Sequence, residues 1–82
     1  MISVNVKLFA MVRDLVGSGE VELSLPDRSS TTAFMSALVL QFPQLEEWRP
    51  HVRIAVNSEY VGEDRALEEG DESALIPPVS GG

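Results

Sequence analysis

The sequence predicts a two-layer α+β domain, one mixed sheet covered by one main helix. Three observations lead there. Apolar residues recur at period two in short runs near both ends of the chain, and a single stretch in the middle, around Met35–Phe42, carries them at helical spacing. A sheet and a helix each expose one apolar side, so one must cover the other. The third observation is size: 82 residues make one domain, near the lower limit for folding alone.

The elements follow in chain order. Ile2, Val4, Val6 and Leu8 alternate with Ser3, Asn5, Lys7 and Phe9, the pattern of a half-buried strand. Phe9 falls on the polar side of that alternation. Ala10 to Val16 fits a short helical turn, stopped by Gly17-Ser18-Gly19. Val21, Leu23 and Leu25 alternate with Glu22 and Ser24 in a second strand, and the short connection pairs it with the first as a hairpin. Pro26-Asp27 breaks that strand. Ser30, Thr31 or Thr32 supplies a hydroxyl to cap the next helix, whose stripe is Met35, Leu38, Val39 and Phe42, widened by Phe34 and Ala37. Pro43 ends it near Phe42. Leu45 to Arg49 forms a further short helical piece before Pro50, and His51 falls in a loop.

Val52, Ile54 and Val56, alternating with Arg53 and Ala55, make a third strand. Asn57-Ser58-Glu59 reads as a turn and Tyr60-Val61 as a short fourth strand. Gly62 to Asp71 is acidic and irregular, anchored by Leu67, with Gly70-Asp71 a turn signal. Ser73 to Ile76 is the last strand, ended by Pro77-Pro78 because neither proline can donate to a ladder. This order suits a β-grasp arrangement over residues 1–76, with one late strand beside the first. Residues 77–82 remain as a flexible C-terminal tail.

Composition excludes several classes of function. Thirteen acids against six bases give a net charge of −7, a poor match for the phosphate backbone, so no nucleic acid is expected. A basic protein partner suits that charge, which also serves simple solubility. There is no cysteine, hence no thiol nucleophile, disulfide or thiolate metal site. The opening residues do not form a signal peptide, and no apolar run approaches the roughly 20 residues needed to cross a bilayer. The expectation is a cytoplasmic protein with no membrane association.

Side-chain catalysis finds little support. His51 is the one histidine, with no base–nucleophile pair near it in sequence. No zinc-protease, phosphate-loop or dinucleotide motif occurs. Glu68, Glu69, Asp71 and Glu72 lack the ligand alternation of a calcium loop and read as a solvated acidic turn, so no metal site is expected. Ser29 to Thr32 read as capping residues, and Trp48 as packing. What remains is the end of the chain. Gly81-Gly82 bears no side chains and fits a narrow channel in another enzyme, and Pro77-Pro78 stiffens the exit from the sheet. A small, frayed terminus is the ordinary alternative.

The ending Ile76-Pro77-Pro78-Val79-Ser80-Gly81-Gly82 resembles that of the small, sulfur-carrier subunit of molybdopterin synthase, a ubiquitin-like family. So does the start, Phe9-Ala10 followed by Arg13-Asp14-Leu15-Val16-Gly17. Ala55-Val56-Asn57 and Gly70-Asp71-Glu72 fall where that family places similar segments. Leu75-Ile76 departs from it, standing where aromatic residues are common. The resemblance implies a carrier cycle. An ATP-dependent, E1-like activating enzyme adenylates the Gly82 carboxylate, sulfur transfer makes a thiocarboxylate, and the tail Val79, Ser80 and Gly81 threads into the large synthase subunit. There the sulfur passes to a cyclic pterin phosphate. No cofactor is bound by the carrier itself, which acts as a non-catalytic subunit of the synthase, with the catalytic side chains on its partners. The neighbouring readings are a thiamine-type sulfur carrier, disfavoured by the longer chain and the Pro-Pro-Val-Ser-Gly-Gly ending, a ubiquitin-like protein modifier, and a plain interaction module with an incidental Gly-Gly.

Three apolar residues are expected on the outer, polar face as a docking patch. Phe9 continues the outward register of Lys7. Ile76 shares parity with Glu72 and Ala74. Tyr60 sits in the short strand beside the turn. The acidic stretch from Glu68 to Glu72 adds steering toward a basic partner.

Overall fold

The computed structural model describes residues 1–62 and 65–77. Five strands form one mixed sheet in the order β2-β1-β5-β3-β4. Strand β1 (Ile2–Leu8) buries Ile2, Val4, Val6 and Leu8 and turns Ser3, Asn5 and Lys7 outward, as its alternation requires. It pairs antiparallel with β2 (Glu20–Leu25) and parallel with β5 (Glu72–Ile76). The parallel pair joins elements from opposite ends of the sequence. That is the β-grasp arrangement, with the late strand beside the first.

The β1–β2 connection holds α1 (Ala10–Val16), which ends at Gly17 in the left-handed region, φ 86°, its N–H bonded to the Arg13 carbonyl. The main helix α2 (Thr31–Gln41) is capped by Ser30, whose hydroxyl accepts from the Ala33 N–H at 3.2 Å. Its buried residues are Thr31, Phe34, Met35 and Leu38. They pack on the inner face of the sheet with Val4, Val6, Leu23, Leu25, Val56 and Leu75, and the core takes in Leu45 and Leu67. Thr31, at the first helical position, is buried because its hydroxyl donates to the Gly62 carbonyl at 2.6 Å.

Several boundaries and one environment differ from the sequence reading. The helical piece after Pro43 is a 3-10 segment that runs Pro43–His51, through Pro50, and takes in His51. Pro43 sits at its start, where a missing N–H costs nothing, and Val52 closes its far end by donating to the Trp48 carbonyl. His51 is therefore ordered, its ring edge-on to Trp48 at 6.1 Å between centroids. Strand β4 is Glu59–Tyr60, and Val61 follows it, although the Val61 N–H still donates to the Ile54 carbonyl. Strand β5 begins one residue early, at Glu72, because Asn57 holds it from both sides: the Asn57 side-chain oxygen accepts from the Glu72 N–H and the Asn57 N–H donates to the Glu72 carbonyl.

The environment that differs is Asp71. The acidic turn is not wholly solvated: Asp71 is buried and accepts from Asn57 Nδ2 at 3.0 Å and from the Glu68 N–H at 2.8 Å. A carboxylate that satisfies both a side-chain amide and a backbone donor tolerates burial. Leu67 anchors the segment as expected, fully buried.

Candidate functional site

The outer face of the sheet gathers the three residues expected there. Phe9 follows β1 directly and is the N-cap of α1, in extended conformation, with its carbonyl accepting from the Val12 and Arg13 N–H groups. Those bonds end the strand and start the helix while the ring stays on the outward side, 46% exposed. On β5, Ser73 and Leu75 point into the core, so Glu72, Ala74 and Ile76 share the outer face. Strand β3 (Arg53–Val56) lies on the other side of β5, with Arg53 opposite Ile76 and Ala55 opposite Ala74. Asn57 and Ser58 turn the chain back into β4 with φ values of 51° and 72°, both left-handed as a two-residue type I′ hairpin requires. That turn sets Tyr60 opposite Ala55.

The registers therefore produce two rows across the sheet. One runs Tyr60, Ala55, Ala74, Lys7; the next holds Arg53 opposite Ile76, with Phe9 one residue beyond the Leu8–Leu75 pair. Phe9, Tyr60 and Ile76 line a single open concavity of about 340 Å³, together with Lys7, Ala55 and Glu72. Lys7 and Glu72 form an ion pair at 3.4 Å across it, a polar rim on an apolar floor. Tyr60 is 59% exposed, and the Arg53 guanidinium lies 4.4 Å from its ring centroid. A cation over an aromatic face orients the ring at modest cost in solvent exposure.

Arg53 is the residue that sequence reading missed. Its signal was present: a two-residue Asn57-Ser58 loop places Tyr60 opposite Ala55 and therefore diagonal to Arg53. Of the acidic residues, Glu69 accepts from the Ser3 N–H, Glu72 pairs with Lys7, and Asp71 is committed to Asn57. Among the described residues no group of three or more histidine, aspartate or glutamate side chains is placed to hold a metal ion. Nor is any helix among them long and apolar enough to cross a membrane.

Ile76 closes β5 at the edge of this concavity, and Pro77 follows it half-buried. The chain thus leaves the sheet beside Arg53 and Phe9. The tail residues singled out from sequence, Val79, Ser80, Gly81 and Gly82, lie outside the described residues.

Comparison with known proteins covers nearly the whole chain. Residues 6–82 match the ThiS family. A molybdopterin synthase sulfur carrier subunit from Arabidopsis thaliana is 42% identical over 81 residues, covering 99% of this chain and 84% of the relative. A protein of the same name from Dictyostelium discoideum is 35% identical, covering 95% of this chain and 94% of its own. The crystal structure of SAMP1 from Haloferax volcanii superimposes with a TM-score of 0.88 at 34% identity, covering 98% and 99% of the two chains. A small archaeal modifier protein 1 from Haloferax volcanii is 34% identical over 84 residues, covering 93% of this chain and 97% of the relative.

Proposed function

The chain belongs to the ThiS family, and from that premise we propose that it is a cytosolic sulfur carrier for molybdenum-cofactor synthesis, working through the C-terminal carboxylate of Gly82. A carboxylate is a poor electrophile. An activating enzyme spends ATP to convert it to an acyl adenylate, releasing pyrophosphate. A sulfur nucleophile then displaces AMP and leaves a thiocarboxylate. The thiocarboxylate is itself a nucleophile, so sulfur is stored without a cysteine, and the chain has none. Its attack on a cyclic pterin phosphate joins the two as a thioester, and hydrolysis of that acyl–sulfur bond by water leaves the sulfur on the pterin and returns the carboxylate. The acid, base and nucleotide-binding groups belong to the partners, an E1-like adenylating enzyme and the large synthase subunit.

The observation that carries this reading is the apolar concavity at the root of the tail. Phe9, Tyr60 and Ile76 converge where β5 ends. A partner seated there holds the body of the carrier while the glycines Gly81 and Gly82 reach its active site. Fixing the carrier at the root converts the transfer into an effectively intramolecular step.

The likeness to SAMP1 favours a second reading, in which the same activated terminus is joined to lysine amines of other proteins. Intact-mass measurement separates the two. Incubated with its activating enzyme, ATP and a sulfur source, a carrier gains the mass of one oxygen-to-sulfur exchange at Gly82 and then yields molybdopterin with the large subunit. A modifier appears as a conjugate on a second protein. A thiamine-type carrier gains the same mass but does not serve molybdopterin formation. A variant lacking Gly82 that still supports molybdopterin synthesis overturns the proposal.

A further inference from the structure

A second hollow of the molecule is given no role by the cycle just described. It lies between the N-terminal turn of α2, the end of the 3-10 segment and the β3–β4 hairpin, with a volume of about 540 Å³. Met35, Val52, Ile54 and Val61 give it apolar walls, and Arg49 and Arg53 give it charge. Among the described residues no acidic residue lines it, and none stands in the first turn of α2. Among the described residues neither arginine is paired with a carboxylate: Arg49 donates to Ser36 Oγ at 2.8 Å, and Arg53 stacks on Tyr60. A guanidinium presents five donors, so each keeps capacity for an incoming anion.

We propose that this cleft is a docking site for a partner's peptide segment that carries carboxylates beside an apolar side chain. The apolar walls take the side chain, and the two arginines take the carboxylates, a charge-assisted and orientation-specific contact. Arg53 touches both this cleft and Tyr60 of the outer concavity, so the two surfaces are continuous. A partner seated on the outer face extends into the cleft without leaving the protein. The proposal deepens the docking part of the carrier reading, although its test needs neither activation nor sulfur transfer.

The test is an amide-resolved NMR titration of the isotopically labelled full chain with two capped pentapeptides of alternating order, Asp-Leu-Glu-Leu-Asp and its all-lysine counterpart. The acidic peptide is expected to shift the Thr31, Ile54, Val61 and Gly62 amides saturably, and the basic one to leave them unmoved. Arg49→Gln is expected to weaken the acidic peptide roughly tenfold, the loss of one charge-assisted contact. The spectrum of the variant itself reports that the fold is retained, and Arg53→Gln serves as the independent second variant. Absence of saturable shifts overturns the proposal. Shifts confined to the outer concavity, or equal shifts with the lysine peptide, overturn it as well. If removing residues 78–82 alone moves the cleft amides and lets the peptide bind only then, the tail of the chain is the occupant and a partner segment is not.

Discussion

Asn57 and Asp71 clasp each other where the parallel and antiparallel parts of the sheet meet. Asn57 Nδ2 donates to Asp71 Oδ1 at 3.0 Å, while Asp71 Oδ2 accepts from the Glu68 N–H at 2.8 Å. Asn57 is also the first residue of the β3–β4 turn, at φ 51°, and its own side-chain oxygen accepts from Glu72. One side chain thus fixes both the hairpin that presents Tyr60 and the strand that leads to the tail.

Replacing Asp71 by Ala removes two hydrogen bonds to a buried carboxylate and strands their donors. The expected loss is about 2–3 kcal/mol in urea unfolding. Asp71→Asn keeps an acceptor and is expected to lose less. A fully stable Asp71→Ala variant contradicts the clasp.

Phe34 is completely buried at the junction of helix and sheet. Phe34→Ala leaves a cavity in a core built by few large residues, and the expected cost is about 3–5 kcal/mol. Small domains hold roughly 5–15 kcal/mol in all, so calorimetry is expected to show a midpoint far below that of the parent, or no cooperative transition.

Ser30 and Thr31 act differently although adjacent. Ser30→Ala removes the cap on Ala33 and is expected to cost about 1 kcal/mol. Thr31→Val keeps the shape but strands the Gly62 carbonyl, and about 1–3 kcal/mol is expected. Hydrogen exchange distinguishes them: the first variant loosens the opening turn of α2, the second the segment after β4.

Phe9→Ala and Ile76→Ala test the outer concavity. Each is expected to weaken binding to the large subunit by roughly tenfold or more, measured by calorimetry with the purified partner. Phe9 is about half exposed, so its variant is expected to unfold at nearly the parent urea concentration. Unchanged affinity in both variants removes this surface from the docking account.

Much of the architecture was legible because burial follows simple periods. Ile2 to Leu8 alternate so cleanly that the outward placement of Phe9 could be read by parity, and Leu75 against Ile76 likewise. What local pattern cannot carry is pairing at long range. Nothing in Glu72–Ile76 states that it lies parallel to β1, and that neighbour relation is what brings Phe9 beside Ile76. The burial of Asp71 was hidden for the same reason, since its partner stands fourteen residues earlier. The 3-10 segment extends further than its pattern suggests because proline reads as a helix stop, whereas Pro50 lies inside this segment. The arginine-lined cleft escaped notice because its charge and its apolar walls come from residues distant in sequence, Met35 in α2 and Arg49 to Val61 beyond it.

The place of β1 between β2 and β5 has a consequence for synthesis. The strand made first is finished on one side only when the strand made near the end arrives, and a contact that distant closes late. A nascent chain therefore gathers Phe9, Arg53 and Ile76 into one surface at the same moment that it completes its sheet. On the docking role proposed above, maturation of the fold and readiness for a partner coincide.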